Sequence, residues 1–153
     1  MKRSEGFTIV EILVVIAIIG ILAGIFGWNL LSSIRRADLR EAQAAVATEL
    51  ARARSKSQRS SADQVVTWTG TTLTTGTMTI TVPNGARIAT AAPTTNYTYT
   101  APYGEFLAPT GQPTGLMLEL IDRSGQYHTA VLAMGVTGKV VRRGVIRVTE
   151  PLN

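Results

Sequence analysis

The first third of the chain consists of one long apolar run that gives way to an amphipathic pattern. Between Phe7 and Leu31 the only ionisable side chain is Glu11, and most other residues are Ile, Leu, Val, Ala or Gly. A helix of that length rises about 37 Å, enough to cross a hydrocarbon core of about 30 Å. The run is too long for a secretory signal peptide, whose apolar region spans only about 7–15 residues. The pattern therefore predicts a membrane-spanning helix that carries one carboxylate.

The segment that follows the apolar run contains no helix-breaking residue. Its apolar positions recur at the three- and four-residue spacing of one helix face: Leu39, Ala42, Val46, Leu50 and Ala53. Charged side chains lie mainly off this stripe, and Ala and Arg both favour helix. We expect one helix from about Phe7 to about Gln58, with the stripe of its outer half packed on a globular domain.

From Val65 onward the composition shifts to residues that favour strands and turns. Period-two alternation between turn residues predicts strands in VVTWTG, TMTITV, NYTYT, LMLELI, QYHTAVLAM and GKVVRRGVIRV, the last broken in two by Gly144. We expect ATAAPTTNY and APYGEFLAPTGQPTG to be loops because both contain Pro and several other turn residues. The predicted fold class is α+β, with one long helix packed on a C-terminal antiparallel β-sheet domain.

The composition removes several kinds of chemistry. The absence of cysteine excludes disulfides, cysteine-based zinc sites and thiol catalysis. A single histidine, His128, argues against a histidine metal site, so we expect no metal and no cofactor. Asp122 and Ser124 would complete a catalytic triad with His128, but Asp-Arg-Ser-Gly is an ordinary turn sequence. We therefore expect no enzyme. The net charge of +5 is compatible with an acidic partner but does not identify one.

The start of the chain, KRSEG followed by FTIVEILVVIAIIGILAGI, closely resembles the class III signal of type IV prepilins and pseudopilins. The resemblance implies that a prepilin peptidase cuts between Gly6 and Phe7 and that Phe7 becomes the N-methylated terminus. It also makes Glu11 the acidic residue of the family, which meets the terminal amine of an adjacent subunit in the filament. Because Phe7 and Glu11 lie one helical turn apart, a pair within one chain is a further option.

The resemblance also implies a domain organisation and a location. Residues 1–6 would be the leader, 7–31 the transmembrane helix and filament core, 32–60 its amphipathic continuation and 61–153 a β-rich domain. The chain would cross the bacterial inner membrane once, with a cytoplasmic leader and a periplasmic C-terminal domain, before it enters a filament. Its partners would be other pilin or pseudopilin subunits, the prepilin peptidase and N-methyltransferase, and a membrane assembly platform.

The later sequence resembles, less closely, the GspH/FimT class of minor pilins and pseudopilins. The resemblance lies in ELARARSKSQRSS and GQYHTAVLAMGVTGKVVRRG. Some members of that class bind DNA during natural transformation through a Gly-Arg-type motif, which here corresponds to Lys139, Arg142, Arg143 and Arg147. On a regular strand Arg143 and Arg147 would share a face, unless Gly144 introduces a bulge. Three roles stay open: a minor pilin, a pseudopilin of type II secretion, and a DNA-binding minor pilin. A charged edge strand that resists aggregation would explain the same residues.

Overall fold

One helix, α1, spans Ile9–Ser60 in the computed structural model, which describes residues 8–91 and 96–149. Thr8 caps its start, since the hydroxyl of Thr8 accepts a hydrogen bond of 3.2 Å from the backbone N–H of Glu11. The helix ends at Ser60, two residues beyond the predicted end at Gln58. The next residue, Ser61, has a left-handed φ of +49°. Gly6 and Phe7 lie outside the described residues.

The chain separates into two compact units between Ile34 and Arg35. In the first unit, every described side chain from Ile9 to Leu31 is exposed, although nearly all of them are apolar. By length and composition, this part of α1 is able to cross a membrane. An apolar helix that its own chain leaves uncovered requires lipid or other protein around it.

Within its described residues, the second unit contains the rest of α1 and ten strands. In chain order these are β1 (Gln64–Trp68), β2 (Thr72–Thr75), β3 (Met78–Thr81), β4 (Arg87–Ile88), β5 (Tyr97–Thr100), β6 (Glu105–Leu107), β7 (Leu116–Ile121), β8 (Tyr127–Ala133), β9 (Val140–Arg142) and β10 (Ile146–Arg147). They form two antiparallel sheets: β3-β2-β1-β5-β6, and β10-β8-β7-β4 with β9 also paired to β8. A short 3-10 turn, Pro83–Gly85, links β3 to β4.

The predicted α+β, pilin-like fold class is confirmed, and its antiparallel strands form two sheets. Three strands also lie where none was expected: β2 in a threonine tract, β4 just before the predicted loop ATAAPTTNY, and β6 inside the predicted loop APYGEFLAPTGQPTG. β2 and β6 pair with strands nearby in the chain, whereas β4 pairs with the distant β7. A strand of three residues has little alternation of its own to reveal it.

The core of the second unit forms where α1 meets the inner faces of the sheets. All five stripe residues of α1 are buried, with at most 2 % exposure. Inward-facing side chains from both sheets join the same cluster, among them Val66 and Leu73 from the first and Leu118 and Val131 from the second. The stripe is buried because every third or fourth residue of a helix returns to the same face.

Candidate functional site

Glu11 is an isolated carboxylate on an exposed apolar surface. It lies in the first turn of α1, where a negative charge is favourable near the positive end of the helix dipole. None of the described residues forms an ion pair with it. At bilayer depth such a charge costs about 2.5–3.5 kcal/mol.

The four basic residues singled out in the C-terminal segment are all exposed and lie along one edge of the second sheet. Arg142 ends β9 and Arg147 ends β10, while Arg143 follows β9 and Lys139 precedes it. Both strands pair with β8, so the residues follow one another along that strand. The structure thus brings the four predicted residues to one sheet edge.

A bulge interrupts this edge. Arg142 lies opposite Val131, and Ile146 lies opposite His128, so four steps on one side match three on the other. One extra residue therefore lies between β9 and β10, in the stretch that contains Gly144. The extra residue breaks the alternation that would have placed Arg143 and Arg147 on one face.

A buried amide from α1 fixes the bulge. The side-chain nitrogen of Gln43, which is only 5 % exposed, lies 2.7 Å from the carbonyl oxygen of Arg143 and 2.9 Å from that of Ala130. It also lies 2.7 Å from the hydroxyl of Thr129, which itself donates to the carbonyl of Arg143 at 3.0 Å. Buried polar groups that satisfy one another in this way hold a backbone in a single arrangement.

The structure adds a basic residue that the sequence did not indicate. The guanidinium of Arg36, on α1, lies 5.0 Å from the ring centroid of Tyr127. A side-chain hydrogen bond from Arg36, followed by a smaller contribution from Arg147, lowers the pKa of Tyr127, although burial opposes this shift. Arg147, which is exposed, therefore lies beside Tyr127 and Arg36.

The residues that resemble a triad are not assembled as one. The carboxylate of Asp122 accepts hydrogen bonds from the backbone N–H groups of Ser124, Gln126 and Tyr127, at 3.1, 2.8 and 2.8 Å, and from the Ser124 hydroxyl. His128 instead has its Nδ1 2.7 Å from Oε1 of Glu119. Asp122 thus organises the turn between β7 and β8, as the Asp-Arg-Ser-Gly sequence indicated.

Substitution of Asp122 by Asn is expected to destabilise the protein by about 2 kcal/mol at neutral pH, because the amide oxygen replaces only one of two charged acceptors. Burial favours the neutral acid, but the bonds from Ser124, Tyr127 and Gln126 outweigh it and lower the pKa of Asp122 below its ordinary 3.8. A lowered pKa contributes stability above pH 3.8 that is lost as the pH falls through the folded-state pKa. Thermal midpoints measured from pH 6 to pH 2.5 should therefore converge for the two proteins; a constant gap would contradict this role.

A long N-terminal helix with an apolar first part and antiparallel sheets after it defines an α+β protein of the pilin type. Residues 1–27 match the family model described as the prokaryotic N-terminal methylation motif, which supports a type IV pilin or pseudopilin. The motif implies processing by a prepilin peptidase and association with pilin subunits, and with the apolar helix it fits membrane anchoring. Type IV pilins are structural proteins and not enzymes. No significant match was found among curated proteins or solved structures.

Proposed function

We propose that the chain is a structural subunit, a minor pilin or pseudopilin, of a type IV pilus or a related filament. The bilayer holds the precursor, the leader of residues 1–6 is removed, and Phe7 becomes the methylated terminus. The observation that carries this proposal is the methylation motif on a helix whose uncovered apolar surface contains one acid, Glu11. Packing of such helices against one another would cover that surface.

Glu11 has a defined role in this proposal. Removal of the leader creates an amine at Phe7, and methylation leaves it charged. In a bundle of apolar helices, this amine and the Glu11 carboxylate of a neighbouring subunit would neutralise each other. A desolvated ion pair adds little net stability, but loss of one partner leaves a buried charge at about 3–5 kcal/mol. The pair therefore selects the register in which subunits stack.

The mass of the mature N-terminus tests the processing step. We expect the N-terminal peptide of protein from native filaments to begin at Phe7 and to carry one methyl group. A Gly6→Val variant should retain the leader, because a branched side chain replaces glycine at the cleavage site. Mass spectrometry of both proteins makes the comparison. Wild-type material with an intact Met1 would overturn the proposal.

A second candidate role is DNA binding, favoured by the exposure of Lys139, Arg142, Arg143 and Arg147 along one sheet edge. Neutralisation of phosphates would give weak, sequence-independent binding that falls steeply with salt. The full chain in detergent should retard duplex DNA, and Arg142→Gln/Arg143→Gln should reduce the slope of log affinity against log salt by about 0.9 for each phosphate that the variant no longer neutralises.

The control for the DNA experiment is Arg52→Gln/Arg59→Gln, which removes the same charge from exposed positions on α1. This variant should bind DNA nearly as well as the wild type. An equal loss in both double variants would show that net charge, not the sheet edge, is responsible.

Deletion of the gene in cells separates the filament roles: loss of protein secretion with preserved twitching would identify a pseudopilin of type II secretion.

A further inference from the structure

A cleft of about 410 Å³ opens within the second unit. It lies between α1, the 3-10 turn and the turn that joins β7 to β8. The charged residues that line it include Arg35 and Asp38 from α1 and Arg123 from the β7–β8 turn, and Asn84 lines it from the 3-10 turn. Neither the methylation motif nor the proposed filament role accounts for this cleft.

Opposite charges line the cleft without pairing. Among residues 8–91 and 96–149, neither the guanidinium of Arg123 nor the carboxylate of Asp38 has a hydrogen-bond or ion-pair partner. Arg35 donates one N–H group to the side-chain oxygen of Gln126, at 2.5 Å, and its other N–H groups remain available. The other carboxylate in the cleft, that of Asp122, already accepts hydrogen bonds from backbone N–H groups of its own turn. The cleft therefore offers two guanidinium groups and one carboxylate to a ligand.

The walls of the cleft are held in place by contacts that do not use these charges. The amide of Asn84 donates to the carbonyl of Asp38, at 3.3 Å, and to the carboxylate of Glu41, at 2.9 Å, which ties the 3-10 turn to α1. The stem of Arg123 lies over Gly85, where an added Cβ would be only 3.3 Å from its Cδ. The absence of a side chain at Gly85 thus makes room for Arg123 beside the cleft.

The charges define the ligand. Guanidinium groups bind phosphate through paired, charge-assisted hydrogen bonds. A carboxylate beside them accepts hydrogen bonds from an ammonium group. A phosphodiester that carries a primary ammonium satisfies both requirements, and the phosphoethanolamine headgroup of a phospholipid has this structure. An anionic lipid without an ammonium would leave Asp38 unpaired, close to the negative phosphate.

The cleft residues of α1 follow the apolar run closely in the sequence. Arg35 is the first charged residue after the apolar run, four positions beyond Leu31, which is a rise of about 6 Å along a helix. We propose that this cleft binds the phosphoethanolamine headgroup of a lipid in the membrane that holds residues 9–31. The inference rests on membrane anchoring and not on filament assembly, so that its failure would leave the proposed function unaffected.

Native mass spectrometry of the full chain, released from detergent micelles that contain one lipid at a time, tests the proposal. We expect phosphatidylethanolamine to be retained about tenfold better than phosphatidylcholine, whose quaternary ammonium has no N–H to donate to Asp38. Arg123→Gln should lower retention of phosphatidylethanolamine and phosphatidylglycerol alike, about tenfold. Asp38→Asn should remove the preference for phosphatidylethanolamine. Arg59→Gln, a matched loss of charge at the far end of α1, should behave as the wild type.

Two soluble competitors separate a lipid headgroup from phosphate alone. Glycerophosphoethanolamine should displace the bound lipid at millimolar concentration, and inorganic phosphate should displace much less. Circular dichroism confirms that each variant is folded. Equal retention of the three lipids by the wild type, unchanged retention in Arg123→Gln, or equal displacement by inorganic phosphate would each overturn the proposal.

Discussion

A Glu11→Leu variant is expected to remain in the membrane but to be lost from filaments. Leucine removes a charge that costs about 2.5–3.5 kcal/mol at bilayer depth, so anchoring should not weaken. In the filament, the same change would leave the amine of Phe7 buried without a partner, at about 3–5 kcal/mol, or about two to four orders of magnitude in assembly. Immunoblots of sheared filaments and of membranes from the same cells measure the two pools.

Two controls separate loss of the charge from other effects of the substitution. Ile12→Leu changes the neighbouring residue without a change of charge and should assemble as the wild type does. The mass of membrane-extracted Glu11→Leu protein should show that its leader has been removed, which excludes a defect in processing. Wild-type amounts of Glu11→Leu protein in filaments would show that the carboxylate does not direct assembly.

The helix could be predicted from the sequence because its signals are local. The apolar run, the stripe from Leu39 to Ala53 and the absence of proline before Pro83 all act within a few turns of one helix. The hairpin of β7 and β8 could be predicted in the same way, since segments of alternating apolar and polar residues flank a turn sequence at Asp122–Gly125. In these elements the residues that specify the structure are neighbours in the chain.

The arrangement of the sheets could not be predicted, because it depends on pairings between distant residues. Gln64 of β1 pairs with Tyr99 of β5, across the whole length of β2, β3 and β4. Alternation shows that a strand has two faces, but it does not show which strand lies beside it. The same pattern is therefore compatible either with two short sheets or with one larger sheet.

The candidate site residues divide in the same way. Glu11 was evident from the sequence because a single acid in an apolar run is unusual in any context. The bulge near Gly144 was indicated only as an alternative, since the amide that anchors it belongs to Gln43, 100 positions from Arg143. The proximity of Arg36, Tyr127 and Arg147 could not be predicted either, because the three residues lie on three separate elements.

Substitution of Gly138 by Ala should produce the largest loss of stability among single-methyl changes in the second unit. Gly138 is buried in the turn between β8 and β9 and has a left-handed φ of +60°. A Cβ there would overlap the carbonyl oxygen of Gly104 and come within 3.1 Å of Nε of Arg54. Gly104 also has a left-handed φ, and a Cβ added there would lie 3.0 Å from Cγ of Arg54 and 3.1 Å from Cγ of Gln58, so its backbone has little room to retreat.

The expected loss for Gly138→Ala combines about 1 kcal/mol for the left-handed backbone with about 1–3 kcal/mol for the overlap. Out of a total stability of about 5–15 kcal/mol, this should lower the thermal midpoint by roughly 10 °C. Gly111→Ala separates the two contributions, because Gly111 has a φ of +78° but nothing within 4 Å of an added Cβ. Near-ultraviolet circular dichroism of both variants in detergent measures the difference. Equal midpoints would show that the chain can move aside at Gly104, and that the close approach of the two glycines does not limit the fold.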